Sequence, residues 1–537
     1  MSRAHRRLWF VLVLVATGLR LPFPAWDAGI AAHPDERFLL GAAAATSLVG
    51  DLCAAVPDFP YGHLPVRVAQ LLMVTAPGAD PLFAARLLSG LIGILVVIAA
   101  GSCGGQIAGR EGRLLAAAMA TLSPFLIQQA RFYTVDPLGT LLVTGAVLMA
   151  CRRQWRSAGF ALGLAVACKV SLSVAVVPIV LGTLQTGGDR RSALRKAGSV
   201  LVYAGLSFLL VSPWALLSPI ACWRGPYIQS LMAGGVYVFP YTQQYVGTLP
   251  FVYPLAQMAL WGLGPLPVVL GGLGLLVGAL ERDRRTRRFR HPAWLWPLVA
   301  HGSIAGLMVK FPRYLLPLYP WWVAWAAYAL QWVGRRCGRR AGYSLAALVL
   351  ASTGLLGLAQ ANLYARPHPW ITASEWIGDH VAAGSTLAVE AWDHPLPVPL
   401  VSVPGTDYRH VVLPSLDGEG PTKVAELVSL FERSDATVFA SRRGYGALSR
   451  SWDEHAATLT WYREVLSGQE VYVFARCPAI GPLAITDDPL LDAGLPVPAG
   501  GSLAERCGVR YVLRLPRLDE SFRVYDAPTV VVAIATP

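Results

Sequence analysis

The feature that most constrains this chain is an alternation. Long apolar runs are separated by short loops, and every second loop carries a cluster of arginines. The runs stand at about residues 8–24, 86–108, 113–129, 137–151, 157–168, 170–184, 198–217, 255–279, 293–309, 314–334 and 343–363. A helix needs about 20 apolar residues to cross the hydrocarbon core of a bilayer, so the pattern predicts a mainly α, polytopic membrane protein of about 11 transmembrane helices. With 54% hydrophobic and only 14% charged residues, lipid is the expected main solvent. The formal net charge of +13 is dispersed through the loops, which argues against a nucleic-acid surface.

The arginine clusters also give an orientation, because cytoplasmic loops carry the excess of Lys and Arg. They comprise Arg6 and Arg7; Arg110 and Arg113; Arg152, Arg153 and Arg156; Arg190, Arg191, Arg195 and Lys196; Arg282 through Arg290; and Arg335, Arg336, Arg339 and Arg340. The N-terminus is then cytoplasmic, while residues 25–85, 130–136, 218–254, about 310–313 and everything after 364 face outward. The first run also fits a signal peptide, with small residues near Ala28 to Ala32, and its removal leaves the later sidedness unchanged. Two domains follow: a membrane domain, 1–364, with a large outer loop at 25–85, and an extracytoplasmic α/β domain, 365–537. In the latter a helix is expected near Trp370 to Val381. Strands are expected at Thr386 to Glu390, Ala436 to Ala440, Val471 to Ala475, Arg510 to Leu513 and Thr529 to Ala535. Arginine-rich, asparagine-poor usage fits a GC-rich bacterial genome, hence a bacterial inner membrane. The eight cysteines show no metal-ligand or CxxC spacing, and a disulfide between Cys477 and Cys507 is left open.

Charged groups that lipid should exclude are the candidates for chemistry. The first outer loop contains His33-Pro34-Asp35-Glu36-Arg37 ahead of an apolar stretch. This is a good helix start, with Pro at the first position and acids in the first turn, where the dipole favours them. It is also a carboxylate at the membrane surface, able to act as general base toward a hydroxyl. Adjacent helical residues diverge by about 100°, so Asp35 and Glu36 cannot address one atom; one faces the site and the other supports it. Asp136, before Pro137, reads as an N-cap or as a second acid on the same membrane face. Two such carboxylates tune a base by mutual repulsion or share a divalent metal with His33; the sequence does not choose, and no cofactor is assigned. Lys169, between two short apolar segments that resemble half-helices, and Lys310 and Arg313 either snorkel to the surface or hold a phosphate. Tyr237, Tyr241, Gln243, Gln244, Tyr245 and Tyr253 suit an interfacial belt or sugar recognition.

Taken together these segments resemble the bacterial branch of the family 39 glycosyltransferases, the GT-C-fold group related to protein O-mannosyltransferases and the lipid A aminoarabinose transferase. The resemblance rests on His33 to Phe38 with Tyr61-Gly62-His63-Leu64-Pro65, Arg131 to Asp136, Gly163 to Lys169, Pro240 to Tyr245 and Arg313 to Pro320. Glu390 to Pro397 and Phe522 to Pro528 look like the soluble tail of some bacterial members. It implies that Asp35 is the catalytic carboxylate, with Glu36 its partner and Asp136 the second acid. It further implies a polyprenyl-phosphate-linked monosaccharide as donor, an extracytoplasmic acceptor and inversion at the anomeric carbon. His33, Arg131, Lys169, Tyr241, Gln244, Lys310 and Arg313 are the expected substrate-binding residues. Rival readings are a transporter or flippase of a lipid-linked or anionic substrate, which explains Lys169 but not the long first outer loop, and a non-enzymatic assembly or receptor protein.

Overall fold

The computed structural model describes residues 3–184, 189–281, 284–399, 407–468, 470–497 and 501–534, with backbone alone for 284–291. Arg282 of the fifth basic cluster and Ala535 of the last expected strand lie outside the described residues. The chain is mainly helical and forms two compact units. One comprises Met1–Pro24, Pro34–Gly234 and Leu249–Leu358; the other comprises Ala25–His33, Gly235–Thr248 and Ala359–Pro537.

The first unit is the helical bundle. Among the described residues, three helices are long and apolar enough by themselves to cross a membrane: Pro81–Leu122, Arg190–Val211 and Arg339–Leu363. The first is a hairpin, because at Gly109 the backbone takes φ 72°, ψ −154°, which L side chains rarely tolerate. The expected run at 86–108 lies in its first arm; the run at 113–129 forms its second arm as far as Leu122 and, past Ser123, the short helix Pro124–Gln129. Helix Trp155–Val166 stops short of Lys169, and a 3₁₀ turn, Val170–Ala175, leads into Val176–Leu184. One expectation fails. The run at 255–279 is not one continuous helix but three pieces: Val252–Gln257, a wide turn at Met258–Gly262, and Pro265–Leu280. Pro265 has no N–H to continue the ladder. The carbonyls freed at the break are satisfied by hydroxyls, Ser123 Oγ donating to Gly262 O at 2.8 Å and Thr353 Oγ1 to Leu263 O at 3.0 Å. Helix Tyr319–Cys337 is buried continuously from Tyr319 to Leu330. Two of its tryptophans spend their polar edges on neighbouring backbone, Trp322 on Val268 O and Trp325 on Ala293 O.

The second unit is α/β. Its five-stranded sheet contains β1 (Thr386–Glu390), β2 (Arg409–Leu413), β3 (Ala436–Phe439), β4 (Val471–Phe474) and β8 (Val530–Ile534). The order is β2-β1-β3-β8-β4, with β1 parallel to β2 and β3, and β8 antiparallel to β3 and β4. A smaller sheet joins β5 (Ala479–Ile480), β6 (Leu483–Thr486) and β7 (Tyr511–Arg514). Strands β2, β5 and β6 were not expected from the sequence; β2 is largely exposed and β5 has only two residues, so neither carries a clear alternation. Cys477 and Cys507 are bonded, with Cα atoms 5.4 Å apart. The strap 25–33 is built into this unit. Trp26 packs edge-on to Tyr364, Asp27 accepts from the backbone N–H of Gly29 and Ala32, and the His33 ring lies 4.1 Å from that of Tyr525.

Glu390, at the end of β1, is buried and accepts from Ser415 Oγ at 3.0 Å and from the Tyr462 hydroxyl. Burial pushes its carboxyl up to about 7 from the ordinary 4.5. The folded state therefore holds a proton that the unfolded chain releases between those two values, so the unit loses stability as pH rises from about 4.5 to 7. Glu390→Gln is expected to flatten that slope and to stabilise the unit by up to about 3 kcal/mol above pH 7, read from unfolding midpoints across pH.

Candidate active site

Helix Pro34–Ala44 begins at Pro34, which sets Asp35 and Glu36 in its first turn. The two side chains then part. Glu36 is fully buried and receives a two-pronged bond from Arg86, Nε at 2.8 Å and an η nitrogen at 2.6 Å, together with the Tyr133 N–H at 2.9 Å. Arg86 also donates to Pro24 O, so this pair staples the helix start to the hairpin Pro81–Leu122. Asp35 turns the other way: its Oδ2 accepts from Arg313 at 2.8 Å and from the Tyr61 hydroxyl at 3.0 Å.

The second acid sits in the first turn of helix Val135–Cys151, where Thr134 rather than Asp136 occupies the cap position. Asp136 accepts from Lys169 Nζ at 2.7 Å, and the ammonium lies 4.4 Å over the Tyr314 ring. Lys169 occupies the break between Trp155–Val166 and the 3₁₀ turn, so the interrupted helix lets a cation enter the bundle.

Tyr61, Lys169, Arg313 and Tyr314 line one cavity of about 340 Å³. Its remaining wall is mostly apolar, with Val170, Val174, Pro226, Ala233, Ile304 and Leu307, interrupted by Ser171, Gln229, Ser230 and Ser303. Two backbone devices hold the wall together. Gly62 N–H and Leu64 N–H donate to Cys168 O and Ala167 O, and the approach is so close that a Cβ on Gly62 would fall 2.1 Å from Ala167 O. A disulfide between Cys53 and Cys222 ties the first loop to helix Pro219–Gly234, which contributes Pro226 to Ala233. His63 Nε2 is 3.3 Å from Cys53 Sγ. These three are the one His/Cys/Asp/Glu set close enough for a metal among the described residues, and both sulfurs are already bonded to each other. Asp35, Asp136 and His33 do not form such a set.

Of the expected residues Lys169 and Arg313 line the cavity, while Asp136 and Asp35 do not line it and reach it only as the ion-pair partners of those two cations. The structure distributes the other expected residues elsewhere. Arg131 is buried against the end of the first helix, donating to Leu19 O at 2.8 Å and to Pro22 O, and Lys310 donates to Met308 O at 3.0 Å; neither lines the cavity. His33, Tyr241 and Gln244 belong to the second unit. There Tyr241 lies under the Arg443 guanidinium at 5.5 Å, and Gln244 bonds both the backbone N–H and the side chain of Glu520. Tyr61, Arg86 and Tyr314 were not among the expected site residues. A signal for Arg86 was present, since an arginine at the start of an apolar run needs a partner.

Residues 68–216 match the family described as dolichyl-phosphate-mannose-protein mannosyltransferase. Among solved structures, the chain resembles the oligosaccharyltransferase of Archaeoglobus fulgidus in its apo form, with 13% identity, 88% of this chain and 74% of that one covered, and a TM-score of 0.53. It also aligns with ArnT from Cupriavidus metallidurans in the apo state, at 16% identity over 88% of this chain and 96% of that one, with a TM-score of 0.49. No curated protein sequence matches the chain.

Removing Arg86 alone leaves a buried carboxylate without its cation. Arg86→Ala is expected to destabilise the bundle by about 3–5 kcal/mol, whereas Arg86→Met with Glu36→Met restores most of the loss. Thermal unfolding of the detergent-solubilised chain reads both.

Proposed function

We propose that this chain, a membrane glycosyltransferase of the GT-C fold, moves one monosaccharide from a polyprenyl-phosphate-linked donor to an acceptor hydroxyl outside the cytoplasm, with inversion. The acceptor is a glycolipid, a cell-envelope glycan or a protein. The reading sets the protein in a bacterial inner membrane with its N-terminus cytoplasmic and its tail domain outside, following the arginine pattern. The observation that carries it is the cavity itself: a largely apolar wall suited to a lipid chain, with Lys169 and Arg313 exposed to one space and a carboxylate on each. The matched family's own name, a lipid-phosphate mannose enzyme, supports the donor class.

In this reading the donor's phosphate enters between Lys169 and Arg313, where Arg offers a fork and Lys a point charge. Both cations are already paired, so the phosphate competes with Asp136 and Asp35 for them. As Arg313 turns to the phosphate, Asp35 loses its ion-pair partner and its Oδ2 becomes available to the acceptor's proton. Donor binding and base activation are then one event. Asp35 takes the proton of the acceptor hydroxyl, whose oxygen attacks the anomeric carbon from the face opposite the phosphate. The bond from that carbon to the phosphate oxygen breaks, and the lipid phosphate leaves with the electron pair, its extra charge met by Lys169 and Arg313. Glu36, held by Arg86 and Tyr133, fixes the helix turn from which Asp35 projects. Tyr61, which lines the cavity, holds the carboxylate from that side.

With purified protein and a radiolabelled polyprenyl-phosphate sugar, Asp35→Asn is expected to slow transfer by about 10²–10⁴-fold while donor lipid still binds. Turnover at the native rate in that variant sinks the assignment. Lys169→Met paired with Asp136→Asn, which leaves no orphaned charge, is expected to weaken polyprenyl-phosphate binding by roughly tenfold or more.

A further inference from the structure

The bundle holds a second cavity, of about 540 Å³ and open to the surface, whose lining shares no residue with the first. Its lining includes Arg153, Arg156, Arg195 and Lys196 together with Ser157 and Ser199. It forms where helix Trp155–Val166 begins against the second turn of helix Arg190–Val211; the latter's N-terminus is already capped by the Asp189 carboxylate, which accepts from Ser192 N–H at 2.9 Å, so the positive charge facing the cavity is that of the side-chain cations. The two helices meet this closely because Gly159 and Gly163 replace side chains at their crossing. A Cβ on Gly159 would lie 2.3 Å from Val200 O, and one on Gly163 2.1 Å from Ala204 O.

We propose that this basic cavity binds the headgroup of an anionic phospholipid carrying one or two phosphates. Charge sorting of loops accounts for arginines at this end of the bundle; it does not account for four cations and three hydroxyls, those of Ser157, Ser192 and Ser199, lining one space. The lipid is favoured over a free anion by what adjoins the cavity. Helix Arg190–Val211 is one of the spans apolar enough to cross a membrane, and Leu194 and Leu201, about 20° apart around it, stand more than half exposed on one face, a start for acyl chains leading away from the cations. The spacing also fits a leaflet. Ser212, just past the far end of that helix, lines a small cavity with Tyr61 and Val170. At ~1.5 Å per residue the cavity's lining residues on that helix, Ser192 to Ser199, lie about 20–30 Å from it, most of one hydrocarbon thickness. The site therefore serves the leaflet opposite the one that supplies the sugar donor, and its occupancy is independent of the sugar chemistry.

The test uses the full-length protein in nanodiscs and measures retained lipid by native mass spectrometry, with phosphatidylglycerol or cardiolipin against phosphatidylcholine. The anionic lipids are expected to be retained selectively, and Arg156→Gln with Arg195→Gln to lower that retention roughly tenfold or more. Equal retention in the variant, or no preference in the wild type, overturns the proposal. Displacement by millimolar inorganic phosphate as effectively as by lipid also overturns it, by making the cavity a free-anion site. Should the variant misfold, a photoactivatable phosphatidylglycerol headgroup probe on the wild type decides. Crosslinks to the peptides around Trp155 and Ser199 support the site, and crosslinks confined to other loops contradict it.

Discussion

Two ion pairs inside an apolar bundle, Asp35 with Arg313 and Asp136 with Lys169, determine what the rest of the membrane unit has to provide. Each charge alone would be expensive in a lipid-facing protein, and each pair is tolerated because the partner lies within hydrogen-bonding distance. Pairing also makes the site responsive. A phosphodiester, its single negative charge shared by two free oxygens, is the kind of guest that can engage both cations at once, and the groups it displaces are carboxylates, one of which the proposed chemistry needs as a base.

Bringing four charged side chains from four distant segments into two ion pairs whose cations line one cavity demands stiff surroundings. The bundle supplies them by interrupting regular structure only where another group repairs the damage. Lys169 enters at a helix break whose exposed Ala167 and Cys168 carbonyls are taken up by the backbone of Gly62 and Leu64. The split at Gly262 to Gly264 is closed by Ser123 and Thr353. Glu36 and Arg86 pin the turn that presents Asp35, and the Cys53–Cys222 bond holds the first loop against the helix that forms the opposite wall.

Much of this was legible in the sequence because it follows from local rules. Pro34 ahead of two acids reads as a helix start, and the angular separation of adjacent residues is enough to say that Asp35 and Glu36 must part. Lys169 is visible as a cation between two runs too short to cross alone. What the sequence hid was partnership across long separations. Tyr61 meets Asp35 across 26 residues, Arg86 meets Glu36 across 50, and Arg313 meets Asp35 across 278; no periodicity encodes such pairs. Arg131 shows the opposite error: beside an acidic motif it looks like a phosphate ligand, yet it is occupied with the terminal carbonyls of the first helix. The break at Gly264 was concealed by hydropathy, which registers apolar content and not whether the backbone continues.

The most direct measurement is a structure of the full chain with polyprenyl phosphate bound. The proposed chemistry predicts phosphate oxygens within hydrogen-bonding distance of Lys169 Nζ and the Arg313 guanidinium, the lipid chain along the wall near Ile304 and Leu307, and the Asp35 carboxylate released from Arg313. A phosphate bound away from these cations, with both ion pairs intact, contradicts it.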